Sequence, residues 1–247
     1  MKVPIAKPPW TKLGCRVESM IRKAIYEFKL IDPETKNLAI ALSGGKDSLL
    51  LLYMLAAIRG CGVPDFKIHA IHVTGEFSCG AGVNISLLEG ICKELDVNLA
   101  VCESTQKLET LECYRCSRER RRLIFDTAKS FGASSIAFGH HRDDNAETLL
   151  MNLLHKAELE GMIPKVPMHK FGVTIIRPLI YVSQDEISSF AKQQNFLRIM
   201  CRCPVGQNSM RRKVGDIIKE LEEIYPNVRS NIAQAALKYS SGKATRI

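Results

Sequence analysis

Apolar positions along this chain recur in two alternating rhythms. Leu38 to Leu42 is a short unbroken apolar run that ends in Ser43-Gly44-Gly45-Lys46-Asp47-Ser48. The pattern is then helical to about Ile58, so the segment reads as strand, tight turn, helix. Lys67 to Val73 reads as a second strand, Ile85 to Leu95 as a helix, and Val97 to Val101 as a third strand. Beyond Cys113 and Cys116 the rhythm resumes with a helix from Ser117 to Phe131 capped by Gly132, a strand from Ser135 to Phe138 and a helix from Asp143 to His155. Val173 to Ile176 follows as a strand and Ser183 to Gln194 as a helix, with Ser183 at its N-cap and Glu186 completing a capping box. Strands separated by helices predict an α/β fold, a doubly wound and mostly parallel sheet with helices on both faces. Helical patterns flank it: one near Val17 to Phe28, and two between Gln207 and Tyr239 separated by Pro226.

Composition narrows the class. With 247 residues, 46% of them apolar and 25% charged, the chain has ordinary globular material and no repeat or low-complexity tract. Its longest apolar run, Leu49 to Ile58, is half the roughly 20 residues of a membrane span. Met1 to Trp10 holds three prolines and no continuous apolar stretch, unlike a secretory signal. A cytoplasmic protein without a membrane partner is expected. The net charge of +9 and pI of about 9.1 favour a polyanionic partner.

The turn after the first strand carries the first chemistry. Gly44 and Gly45 let backbone N–H groups approach an anion where a helix begins, and the helix N-terminus adds partial positive charge. Ser43 and Ser48 supply hydroxyls, Lys46 a full charge, and Asp47 a carboxylate for a magnesium ion bridging phosphates. The spacing is not that of the P-loop, which serves cleavage at the γ-phosphate. It resembles the PP-loop, whose family binds the pyrophosphate part of ATP and transfers AMP. Gly139-His140-His141-Arg142-Asp143-Asp144 closes the strand ending near Phe138, so it lies at the carboxyl edge where open α/β sheets bind ligands. Either Asp143 or Asp144 caps the next helix while the other serves magnesium.

Nine cysteines in a reducing compartment argue against a disulfide framework. Cys113/Cys116 and Cys201/Cys203 are close pairs, which suggests metal, whereas Cys15, Cys61, Cys79, Cys92 and Cys102 are single. Two pairs of thiolates also describe a structural zinc site, although the one-residue gap in Cys201-Arg202-Cys203 is irregular for one.

Together, Cys113-Tyr114-Arg115-Cys116-Ser117-Arg118, Gly139 to Asp144, Ile176-Arg177-Pro178-Leu179 and the second cysteine pair resemble the bacterial tRNA 2-thiocytidine synthetases, from about Val17 to Tyr239. The resemblance implies a nucleotide domain over 33–205 that includes the cysteine site, between an extension with one helix over 1–32 and a helical segment over 206–247. It implies ATP, Mg2+ and a 4Fe-4S cluster as cofactors. Cys113, Cys116 and either Cys201 or Cys203 would be the cluster ligands; the family's second pair has two intervening residues, and here there is one. The implied reaction is adenylation of a base carbonyl, most simply cytidine C2 in the anticodon loop, followed by its replacement with sulfur. The expected partners are tRNA and a sulfur donor, sulfide or sulfur from a cysteine desulfurase, and a homodimer is compatible. Lys46, Asp47, Cys113 and Cys116 are the expected catalytic residues; Ser43, Gly44, Gly45, Lys46, Asp47, Ser48, Gly139, His140, Asp143 and Asp144 are expected to bind nucleotide and magnesium.

Arg115, Arg118, Arg120, Arg121 and Arg122 crowd the first cysteine pair, and Arg202, Arg211, Arg212 and Lys213 the second, a placement that suits a polyphosphate backbone. His69 and His72 are expected on one face of their strand in packing roles, and Trp10 as a packing anchor. The competing readings are a 2-thiouridine synthetase, an amine-adding ligase of the lysidine-synthetase kind that needs no cysteine centre, and a zinc-stapled RNA-binding module that senses nucleotide.

Overall fold

The computed structural model describes residues 4–75, 83–105, 113–196 and 210–240, with the side chains of Cys113 and Tyr114 left out. Among the described residues six strands form one sheet: β1 (Asn37–Ala41), β2 (Lys67–Thr74), β3 (Asn98–Glu103), β4 (Ser135–Ala137), β5 (Lys165–Met168) and β6 (Val173–Ile176). The order is β3-β2-β1-β4-β6-β5, parallel except for β5, which pairs antiparallel with β6. Strand order reverses between β1 and β4, so their carboxyl ends splay into a crevice.

Helices α1 (Lys12–Glu27), α2 (Lys46–Ile58), α3 (Ile85–Glu94) and α6 (Gln184–Gln193) supply one core cluster with one face of the sheet. Helix α2 is apolar nearly all round, and Leu49 to Leu52 are fully buried. Each such leucine contributes roughly 1.5–3 kcal/mol, enough to hold the start of α2 rigidly against β1. Helix α4 (Cys113–Ser130) covers the other face, where Ile124, Phe125 and Ala128 pack with Ile136, Val173 and Ile175. Helices α5 (Arg142–Lys156), α7 (Met210–Ile224) and α8 (Val228–Tyr239) form a third cluster around Ala146, Val214, Ile218 and Ala233.

Several sequence expectations are met, among them the Ser183/Glu186 capping box of α6 and Gly132 with φ of +66 after α4. Trp10 is an anchor, edge-on to Phe190 and bonded through its indole N–H to Glu18. Others need correction. Helix α4 begins at Cys113, not Ser117, so the first cysteine pair lies inside its opening turn. His69 and His72 do not share a face, because residues three apart on a strand point to opposite sides. His69 stacks on Phe131 of the α4 side, while His72 is buried and donates through Nδ1 to the Leu42 carbonyl at 2.8 Å. Among the described residues no helix is long and apolar enough to cross a membrane.

Asn145 ties the third cluster to the sheet. It is fully buried, accepts the Met162 N–H at 2.6 Å and donates to the Ala233 carbonyl at 3.4 Å. Asn145→Ala leaves both backbone groups unsatisfied, and the expected loss is about 2–3 kcal/mol. Thermal unfolding should show a fall of several degrees; an unchanged midpoint would mean that α8 docks without this bridge.

Candidate active site

The phosphate turn is built by backbone geometry. Gly44 has φ of +80, a left-handed conformation that disfavours side chains, and Gly45 is the N-cap of α2 with extended geometry. Helices α1, α3, α5 and α6 each receive a side-chain cap, whereas α2 has none. Its first-turn amides therefore face outward with no protein acceptor from the cap, the arrangement that suits a bound anion. Ser43 and Ser48 stand Oγ to Oγ at 3.1 Å, and Lys46 Nζ donates to Asp47 Oδ1 at 2.6 Å.

Gly139 closes the other side. A Cβ there would meet the backbone carbonyl carbon of Asp47 and the amide nitrogen of Ser48 at 3.1 Å, so the end of β4 lies directly against the start of α2. A cavity of about 250 Å³ opens at this junction. Ala41, Ile71, Val73, Ile124 and Phe138 make its apolar part, and Ser43, Asp47, Ser48, Arg120, His140 and Asp144 its polar part. An apolar pocket beside an uncapped helix end has the chemistry for a nucleotide base and its phosphates.

The two aspartates of α5 separate cleanly. Asp144 reaches the cavity and completes the capping box, accepting the His141 N–H at Oδ2, 3.0 Å, and the Arg211 guanidinium at Oδ1, 3.1 Å. Burial alone would raise its pKa, but His141, which meets it through both ring and backbone N–H, and the Arg211 guanidinium outweigh this and hold the carboxyl below its usual range. Asp143 is buried and turned elsewhere, accepting from Arg142 Nε and the Gln184 N–H, both at 2.9 Å. His141 Nδ1 accepts the Asp144 N–H at 3.4 Å, which leaves the ring proton on Nε2, 3.5 Å from Asp144 Oδ2 and 3.9 Å from Asp47 Oδ1. His140 stacks on Phe138, and burial followed by the nearby Arg177 drives its pKa far down, so the ring is neutral.

Of the expected nucleotide residues, Ser43, Asp47, Ser48, Gly139, His140 and Asp144 line the cavity; Gly44, Gly45 and Lys46 form the turn behind it, and Asp143 lies outside. Arg120 also lines the cavity, and His141 and Arg211 brace its Asp144 wall without lining it. Arg120 is visible in the sequence only within a run of arginines, and Arg211 reaches Asp144 from 67 residues away.

Cys116 is buried on α4, one helical turn (about 5.4 Å) before Arg120 and two before Ile124. All three fall on one stripe of the helix, so the turn that opens at Cys113 leads straight to the cavity wall. Cys201 and Cys203 lie outside the described residues, as does the side chain of Cys113. Among the described residues no three histidine, cysteine or carboxylate side chains converge as a metal site. The donor chemistry nevertheless suits a thiolate-bound metal: two cysteines three apart share a helix face, and one of them is already buried there.

Known proteins agree with this architecture. Residues 16–198 match the PP-loop domain family. The tRNA-cytidine(32) 2-sulfurtransferase of Xylella fastidiosa (strain M12) is 35% identical over 236 residues, covering 91% of this chain and 77% of its own length. Its counterpart in Stenotrophomonas maltophilia (strain K279a) is 33% identical over 243 residues, covering 94% and 77%. In three dimensions the fold is similar to that of a U34-tRNA thiolase from Methanococcus maripaludis with its [4Fe-4S] cluster, at a TM-score of 0.70 and 22% identity over 94% of this chain and 82% of that one.

Two outcomes test the site. Gly139→Ala forces the phosphate turn away from β4 and should abolish binding of a non-hydrolysable ATP analogue in calorimetry; retained affinity would show that the close approach is dispensable. Glu147, on α5, has its pKa raised by burial and by Asp144 to about 7. The folded chain then keeps a proton that the unfolded chain releases above about 4.5, so stability falls as pH rises between those values. Glu147→Gln should flatten the thermal midpoint across that window, and an unchanged slope would assign the titration elsewhere.

Proposed function

The chain belongs to the PP-loop domain family and, within it, to the tRNA-cytidine 2-sulfurtransferases, and from that premise we propose that it thiolates C2 of a cytidine in the tRNA anticodon loop, driven by ATP. The single observation that carries the reading is the α4 stripe: Cys116 stands one turn from Arg120, which lines the same cavity as the phosphate turn. An activated base and a sulfur source meet there.

ATP would lie across the β1/β4 crevice with its base in the apolar pocket and its phosphates on Ser43 to Ser48. Asp47 and Asp144, both within reach of His141 Nε2, would hold a Mg2+ ion, which would neutralise charge on the phosphates. In the first step the O2 atom of the base attacks the α-phosphorus, forming an O–P bond as pyrophosphate leaves. Lys46 and the α2 amides stabilise charge on the departing phosphates. In the second step sulfide adds at C2 and AMP leaves with the original oxygen, giving C=S. The neutral His140 and the apolar wall around Phe138 exclude water that would otherwise hydrolyse the adenylated base. Cys113, Cys116 and Cys201 or Cys203 would hold a 4Fe-4S cluster, which when bound supplies an open iron for sulfide; a closed zinc site lacks that position.

The sulfur donor would be free sulfide or a cysteine desulfurase product, and the enzyme would work in the cytoplasm beside its tRNA. A 2-thiouridine product and an amine-adding reaction are the rivals, and nucleoside analysis separates them. Mass spectrometry of tRNA from cells lacking the gene should show loss of 2-thiocytidine; loss of a 2-thiouridine would reassign the base, and no loss would defeat thiolation. Anaerobically purified protein should carry iron and acid-labile sulfide, and Cys116→Ser should lose both while still binding the ATP analogue. Zinc in their place would overturn the cluster assignment.

A further inference from the structure

Helix α4 carries two arginines past the edge of the sheet, and they diverge. Arg120 continues the line of Ile124 toward the phosphate turn, whereas Arg121, one turn before Phe125, continues the line that packs over β4 and β6. At those strand ends lies Arg177, the residue after β6, beside Phe138, whose N–H bonds the Ile176 carbonyl at 2.9 Å. Arg177 donates through Nη1 to the Ile163 carbonyl, but its buried Nε has no partner, nor has the buried Nδ1 of His140 next to it. Arg211 of α7 arrives from the third side, braced on Asp144 and on the Thr148 hydroxyl at 3.1 Å each.

We propose that Arg121, Arg177 and Arg211 form a phosphate site separate from the phosphate turn, and that it holds a backbone phosphate of the RNA strand whose base enters the cavity. The inference rests on the thiolation reading and adds to it the place where the strand is gripped.

Arg121 and Arg211 both neighbour Arg177, and Asp144, which pairs with Arg211, is the ionised carboxylate beside them among the described residues. Among the described residues no carboxylate pairs with Arg121 or Arg177. Glu147 adds little countercharge, since burial keeps its proton to about pH 7. Burial first, and then the repulsion of the neighbouring Arg121, lowers the Arg177 guanidinium to about 10. An oxyanion relieves that repulsion and offers acceptors to the orphaned Nε, and a planar guanidinium fork suits phosphate. The three phosphates of ATP already have the uncapped α2 terminus, and none of Arg121, Arg177 and Arg211 lines the cavity on which that terminus opens. Arg121 is solvent-accessible on a helix that also carries Arg115, Arg118 and Arg122, so a long polyanion reaches this site from outside.

The test uses the full chain. Affinity for an unmodified tRNA transcript is measured across a salt series, and affinity for a non-hydrolysable ATP analogue is measured in parallel. Arg121→Gln should weaken tRNA binding by about tenfold and reduce the slope of log affinity against log salt by about 1, the release of one phosphate contact. Analogue affinity should not change, and Arg121→Lys should restore the slope while recovering only part of the affinity. If analogue binding weakens and tRNA binding holds, the cluster serves the nucleotide and the proposal is overturned. A tRNA affinity unchanged from that of the unsubstituted chain in both Arg121→Gln and Arg211→Gln overturns it as well. No tRNA affinity in the unsubstituted chain would instead mean that the thiolation reading has failed.

Discussion

The site depends on backbone meeting backbone where β4 ends against the first turn of α2. Positions 44 and 139 carry no Cβ, and each is required for a different reason. Gly44 takes a left-handed conformation to turn the chain, and Gly139 leaves the 3.1 Å clearance that lets a second strand close on the turn. Apolar burial of Leu49 to Leu52 then fixes the helix whose amides face the crevice. Were α2 loosely packed, those amides would have to be ordered at binding, and the entropy of ordering would weaken the complex.

Around this junction charge is arranged by sharing. Asp144 serves the cap of α5, the guanidinium of α7 and the cavity wall at once, which couples the C-terminal helices to the nucleotide site. Asp143, its neighbour, stitches α5 to the start of α6 through the Gln184 N–H. One dipeptide thus divides chemistry from architecture: the helix turns the two carboxylates about 100° apart.

Most of the sheet was legible because glycines punctuate it and apolar runs of strand length precede helical patterns. Strand β5 was not, since Lys165-Val166-Pro167-Met168 buries only Val166 and contains a proline, which a sheet accepts only at its edge. The start of α4 was missed because its opening face mixes cysteine with arginine in place of apolar residues; Cys-Tyr-Arg-Cys reads as a loop-borne pair until the helix is seen. Local pattern put Ser43, Asp47, Ser48, His140 and Asp144 at one sheet edge, where they line one cavity. The contact of Arg211 with Asp144 and the capping role of His141 were not legible, the first because the partners are 67 residues apart and the second because histidine is an uncommon cap. The twin histidines of β2 show the opposite failure, a period misread by one residue.

Helix α4 is held at both ends. Ile124, Phe125 and Ala128 sit in the core, while near its start the Glu119 carboxylate accepts from the Ser104 hydroxyl and the Thr105 N–H at the end of β3. A change at either anchor would therefore tilt the helix that carries Cys116 and Arg120. Substitutions at Phe125 or Phe171, whose ring centroids lie 5.1 Å apart, would act on the spacing between thiol and cavity from well away from both.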